Sequence, residues 1–294
     1  MNLLASLLVL FSLNFMKSND LSQRNLSPQL IKSKLIQSGI DSSEVELLDN
    51  KSVSLIPRSK GLHYYSAYII NDLTGNWLSV SKTEYDSRLK TKAHVGEKTQ
   101  SDFYDEYMRI GLIVNDLGEA NYHFIAYAIW DRMPFCRTTD SFSISGDGII
   151  PVFGSSIGYV TDLLTTRVST KSKSARKETE RFDIAKEKIQ LLDSGNNSGV
   201  GFLYTLPKNK TVFTLDYMYS DLSFYLSFDA KLHFPGLTQN FNVQATYDHY
   251  EQVIQFTPTL TFSSINGFFG LGLSTTWNNH RRCATTKKPI HYEA

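Results

Sequence analysis

Cysteine is nearly absent: Cys136 and Cys283 are the two that occur in 294 residues. Far apart and isolated, they exclude a C-x-x-C redox motif and a cysteine-rich zinc cluster. An excess of charge is missing too, since 30 Lys and Arg stand against 29 Asp and Glu for a formal net charge of +1. That balance argues against a protein-wide field for nucleic acid or an anionic membrane, so no nucleic-acid partner is expected. The histidines, at positions 63, 94, 123, 233, 249, 280 and 291, form no H-x-x-x-H or H-x-H pair. No P-loop, dinucleotide fingerprint or EF-hand loop appears either, and the expectation is no metal and no cofactor.

Long apolar runs are absent with one exception, at the start of the chain. Leu3, Leu4, Ala5, Leu7, Leu8, Val9, Leu10, Phe11 and Leu13 form a run that ends at Lys17, Ser18, Asn19 and Asp20. A bilayer core of about 30 Å needs roughly 20 apolar residues as a helix, so this run is too short to span it. Its length suits a secretory signal, although Asn2 stands where a positive n-region is usual. Residues 1–18 are read as a signal peptide and the product as secreted and extracellular. An oxidising compartment makes a Cys136–Cys283 disulfide reasonable, worth about 5 kcal/mol in the chain-entropy account of so long a loop. Four N-glycosylation sequons begin at Asn25, Asn50, Asn196 and Asn209, each among turn-forming or charged residues.

Behind the signal, residues 19–56 read as a short helical segment. Ser27 can cap a helix over 27–39, Pro28 suits its first turn, Gly39 can end it, and Leu30, Ile31, Leu35 and Ile36 would share its apolar face. Residues 57–165 read as a first β portion, with hairpins over 62–81 and 107–130 that turn at 72–76 and 116–121. Residues 166–195 read as a charged connector. Arg167, Lys171, Lys173, Arg176 and Lys177 lie among Ser and Thr, Arg176-Lys177 offers a dibasic cleavage point, and Phe182, Ala185, Ile189 and Leu192 are spaced as a helical stripe. Residues 196–277 read as a second β portion of long antiparallel strands turning at Pro235-Gly236, and 278–294 as a basic tail. With 18 Phe and 16 Tyr, the composition suits pleated, half-buried surfaces. The fold class is thus mainly β: an antiparallel sandwich or barrel-like core with a short N-terminal helix and a charged helical connector.

Two motifs carry possible chemistry. Gly154-Ser155-Ser156-Ile157-Gly158 matches G-x-S-x-G, and a strand, sharp turn and helix around it would expose Ser156 as a nucleophile. A triad would then need Asp248 or another acid with His249 or His280, but adjacent Asp248 and His249 would point to opposite faces of a strand. Residues 265–273, apolar and Gly-rich beside Trp277, read either as a buried final strand or as a membrane-inserting segment. No catalytic set survives, and the balance is against an enzyme. The leading expectation is a secreted glycoprotein that recognises an extracellular protein or carbohydrate. A membrane-active, pore-forming protein is the alternative and a serine hydrolase acting through Ser156 the second, with membrane contact the less favoured option.

Alkylation and intact-mass measurement before and after reduction check the disulfide. Both cysteines are expected to take label only after reduction, and two freely labelled thiols in the exported protein would exclude the bond.

Overall fold

A computed structural model describes residues 12–13, 26–71, 77–93, 106–132, 137–168, 175–194, 197–251, 260–265, 268–273 and 280–293. In chain order a two-residue strand β1 (Ser12–Leu13) precedes helices α1 (Pro28–Gln37), α2 (Ser42–Glu46) and α3 (Asn50–Leu55). Strands β2 (Gly61–Asn71) and β3 (Trp77–Val80), helix α4 (Lys82–Ala93), and strands β4 (Tyr107–Gly118), β5 (Asn121–Arg132), β6 (Thr139–Asp147) and β7 (Ile149–Pro151) follow. Next come β8 (Ile157–Val168), β9 (Ala175–Asp183), β10 (Gln190–Ser194), β11 (Asn197–Thr205), β12 (Lys210–Val212), β13 (Leu215–Leu232) and β14 (Gln239–Glu251). The chain ends with β15 (Leu260–Ile265), β16 (Phe268–Leu273) and β17 (His280–Tyr292).

The protein is mainly β, with antiparallel sheets in a sandwich-like arrangement. The larger sheet runs β1-β2-β4-β5-β13-β8-β9, with β3 on β2 and with β7 and β12 on β13. The smaller runs β10-β11-β6-β14-β17, and β15 with β16 makes a separate two-stranded sheet. β13 lies between β5 and β8, and β11 and β14 flank β6. The two β portions read from the sequence therefore interleave in the same sheets.

Alternation explains the packing. Met108, Ile110, Leu112 and Val114 of β4 and Phe124, Ala126, Ala128 and Trp130 of β5 face the core between the sheets. There they meet Phe142 and Ile144 of β6 and Val243, Ala245 and Tyr247 of β14. The intervening residues Ile113, Ile125, Tyr127 and Ile129 form a second core with Ile31, Leu35, Val45, Leu48, Val53 and Ile56 of the N-terminal helices. Strands buried on both faces read as continuous apolar runs rather than alternating ones, as β4 and β5 do.

Ser27 caps α1 through Leu30 N, and Gly39 follows its end at φ +99°, in the left-handed region that favours glycine. Only part of the expected face is buried: Ile31 and Leu35 are inside, while Leu30 and Ile36 are 45% and 39% exposed. α2 is fastened by polar groups. Glu44, fully buried, accepts hydrogen bonds from Tyr64 and Tyr127, each at 2.6 Å, and faces Arg109 at 3.4 Å. Arg109 also makes a two-pronged contact with Asp131, at 2.7 and 2.9 Å. Burial pushes the Glu44 carboxyl above its ordinary pKa, against the hydrogen bonds of Tyr127 and Tyr64 and the charge of Arg109.

The charged connector differs from expectation. Residues 175–183 form strand β9, with Val160 opposite Phe182 and Asp162 opposite Glu180. Among the described residues of this region a single 3₁₀ turn at Lys186–Lys188 is helical, and Phe182, Ala185, Ile189 and Leu192 have extended backbone. Pairing with β8 overrides the local pattern. As the last strand of its sheet, β9 can keep its charged side chains in solvent. Of the expected signal segment, the described residues Ser12–Leu13 pair with His63 and Leu62; the remainder, like the turn at 72–76, lies outside the described residues.

Gly111 is needed for close approach, because a Cβ there would lie 1.9 Å from Tyr127 Cζ. Gly111→Ala is expected to displace Tyr127 from Glu44 and cost about 1–3 kcal/mol in urea denaturation; an unchanged midpoint would contradict the packing.

Candidate functional site

Ser156 lies in the loop between β7 and β8, and the chain continues as a strand, so the strand-to-helix elbow is not formed. Its neighbour Ser155 accepts from Asp229 N at 3.0 Å and donates to Val152 O at 2.7 Å, building the turn. Asp248 and His249 diverge as extended geometry requires. Ser141 donates to Asp248 at 3.2 Å, whereas His249 lies 2.9 Å from Asp140 and stacks against Trp77. Tyr247 donates to the same Asp140 and accepts from Trp130 Nε1 at 3.0 Å.

Asn25, Asn196 and Cys136 fall outside the described residues, and Cys283 is placed by its backbone opposite Asp248. Asn50 is exposed at the start of α3, but Ser52, which completes its sequon, is fully buried. Asn209 is exposed, and its side-chain oxygen accepts from Arg137 and from Tyr219 N, both at 2.9 Å. Among the described residues no His, Cys, Asp and Glu group is arranged to hold a metal, and no helix is long and apolar enough to cross a membrane.

A constellation invisible in the sequence joins α3 to the larger sheet. Ser52 Oγ lies 2.7 Å from His123 Nε2, and His123 Nδ1 lies 2.6 Å from Asp229. By distance this is a Ser–His–Asp relay. By exposure it is inverted, because Ser52 is fully buried while the Asp229 side chain is 30% exposed. A working triad presents the serine to substrate and buries the acid. Ser52 Oγ is also engaged by Asp49 and Tyr225, each at 2.7 Å, so the group serves as a strut between α3, β5 and β13. Only the capping pattern Asp49-x-x-Ser52 could have hinted at it. Burial raises the Asp49 carboxyl, yet hydrogen bonds from Tyr225 and Ser52 and the charge of His123 take it below its ordinary pKa. Asp229 is lowered in the same way by His123 and Lys51.

The second feature is the β15–β16 hairpin. Residues 252–279 contain no Asp, Glu, Lys or Arg. Pairing sets Leu260 opposite Leu273, Phe262 opposite Leu271 and Ser264 opposite Phe269. The alternate pairs are Thr261 with Gly272, Ser263 with Gly270 and Ile265 with Phe268. Residues two apart share a face of a strand. One face of the ribbon thus holds four Leu and Phe of the first two pairs with Phe269, and the other mostly Thr, Ser and Gly. Reading 265–273 as a single strand hid this, because the two faces become evident only when both strands are aligned.

Asp49 and Asp229, held below their ordinary pKa, add stability above about pH 3.9, the unfolded carboxylate value, and lose it as pH falls through their lower folded values. Near-UV circular dichroism is expected to change below about pH 4 as the helices loosen. Asp49→Ala removes a helix cap and leaves Ser52 and Tyr225 short of an acceptor, an expected loss of about 2–3 kcal/mol in urea at pH 7; a loss under about 0.5 kcal/mol would contradict the strut.

No family model matches the chain, and no curated protein matches it. Among solved structures, one described as "Pore forming protein" is 8% identical, covers 80% of this chain and 97% of its own, and has a TM-score of 0.28. Clostridium perfringens delta-toxin is 6% identical, with 79% and 91% covered and a TM-score of 0.24. AvmM, which catalyzes macrocyclization in alchivemycin A biosynthesis, is 10% identical, with 59% and 82% covered and a TM-score of 0.22. At such TM-scores these likenesses carry no weight for function.

Proposed function

We propose that this is an exported, membrane-active protein that permeabilises lipid bilayers by inserting its β15–β16 hairpin. One observation carries the reading: an uncharged hairpin whose register puts Leu260, Phe262, Phe269, Leu271 and Leu273 with Ser264 on one face, and Thr261, Ser263, Gly270 and Gly272 on the other, which turns apolar only at the Ile265–Phe268 pair next to the tip. Strands that cross membranes alternate in this way, apolar toward lipid and polar toward a lumen. Before Leu260 the sequence alternation continues with Ile254, Phe256 and Pro258 set among Gln255, Thr257 and Thr259. The uncharged segment leaves enough residues on each side of Asn266-Gly267 for a crossing strand of about 9–11 residues.

A lone hairpin cannot remain in hydrocarbon, because its outer backbone groups would be unsatisfied. Closure needs strands from other copies. The smallest common barrels have about eight strands, which corresponds to roughly four or more copies.

Recognition of an extracellular carbohydrate is the second reading. A cavity of about 490 Å³ beside Asp229, lined by Lys60, Asn121, Tyr122 and Val152, favours it. Its lining combines Lys60, Glu119, Asn121 and Asp229, groups that can hydrogen-bond sugar hydroxyls.

Calcein release from phosphatidylcholine vesicles tests the proposal. The wild-type protein is expected to release dye and Phe262→Arg to lose at least tenfold in rate, since an Arg facing lipid near the bilayer midplane costs about 2–4 kcal/mol. Ser263→Arg, on the opposite face, is expected to retain most of the activity. No release by folded wild-type protein, or equal damage from the two variants, would overturn the reading.

A further inference from the structure

Two outer faces of this sandwich are covered, and they differ in chemistry. Beneath the N-terminal helices the larger sheet is apolar, with Ile113, Ile125, Ile129, Tyr159 and Tyr225. The smaller sheet presents the opposite. Its strands put Phe142, Ile144, Val200, Phe202, Val243 and Ala245 toward the inner core. Facing outward are rows in which Ser143 pairs with Gly201 and Thr246, and Ser145 with Gly199 and Gln244. This polar face is nonetheless closed to solvent: Ser143, Ser145 and Thr246 are each 1% exposed and Gln244 5%. The β15–β16 hairpin lies against β6 and β14 and touches β10 and β11.

We infer that this outer face is a release seat, which holds the hairpin as a detachable strap. The inference rests on the membrane reading for the purpose of release, but its own evidence is the composition of the seat. A permanently covered face gains stability from being apolar, and losing its cover then exposes that surface to water. A face of Ser, Thr, Gly and Gln, with Asp248 beside Ser141 at one end, is readily hydrated when vacated. Its polar groups also bond among themselves, with Ser141 donating to Asp248 at 3.2 Å and Gln244 Nε2 to Thr246 Oγ1 at 3.4 Å. Those bonds do not depend on the strap. Departure also leaves the sheet whole, because β14 and β17 pair continuously from Gln239–Tyr292 to Glu251–His280, where the excursion begins.

Hydrogen exchange of the wild-type protein without lipid is the primary test. Amides of 260–265 and 268–273 are expected to exchange at least a hundredfold faster than those of β4 and β5, through an opening that leaves the sandwich folded. Exchange of the hairpin only at the rate of global unfolding would overturn the inference. Ser143→Glu places a charge beneath the strap and is expected to raise hairpin exchange a further tenfold or more. Thr179→Glu, at an exposed position of β9 in the larger sheet, is expected to change nothing. A folded Ser143→Glu protein with wild-type hairpin protection would also overturn it. Calcein release is read on the same samples. Fast hairpin exchange without dye release would leave the seat standing and remove the membrane reading, whereas dye release with a hairpin opening only globally would do the reverse.

Discussion

Burial of β4, β5 and β13 on both faces is the constraint on which the rest of this structure depends. Ala128, Phe124 and Phe224 lie under the second sheet, while Tyr127, Ile129 and Tyr225 lie under the helices. Strands of this kind cannot leave either face in water without exposing a large apolar area, at about 25 cal/mol per Å². They therefore require two covers, and the molecule supplies a second sheet on one side and three short helices on the other. The helices are too short to persist alone and owe their stability to this docking.

The polar groups in the helical interface follow from that burial. A carboxylate such as Glu44 is costly inside protein unless paired and hydrogen-bonded, and Arg109, Tyr64 and Tyr127 provide this. Ser52, His123 and Asp229 show how little residue types alone say about chemistry. Their distances match a catalytic relay, but a serine with no solvent access and three polar neighbours has no place for a substrate. Geometry makes them a strut. A third cover, the β15–β16 hairpin on the smaller sheet, rests on Ser, Thr, Gly and Gln where the helices rest on Ile and Tyr.

Much of the local structure was legible in the sequence. Ser27, Pro28 and Gly39 marked α1, and the apolar runs around 107–130 marked β4 and β5 with their turn near 116–121. Pro235-Gly236 marked the turn before β14. These signals are carried by neighbouring residues and by fixed backbone preferences, which act before distant parts of the chain meet. The stripe from Phe182 to Leu192 was misread as helical, and 175–181 as connector, because their spacing is ambiguous and their state is set by distant partners, β8 and β11. The Ser52–His123 contact was unreadable for the same reason, since no spacing rule connects a helix cap with a residue in an apolar strand. The Ser156 elbow, weighed and disfavoured from the sequence, is not formed because Tyr159 and its neighbours are strand.

By itself the sequence determined that this chain is β-rich, where its short first helix begins and ends, and that residues 252–279 carry no charge. Each of these is a property of composition or of near neighbours. Only the tertiary structure decided which strands pair, that β13 divides β5 from β8, and that Leu and Phe gather on one face of the hairpin while Thr, Ser and Gly make up most of the other. It alone set that hairpin on a buried face of alcohols and glycines. Register is the physical reason: a shift of one residue would exchange the two faces of every strand, and register is settled by contacts between residues far apart in the chain.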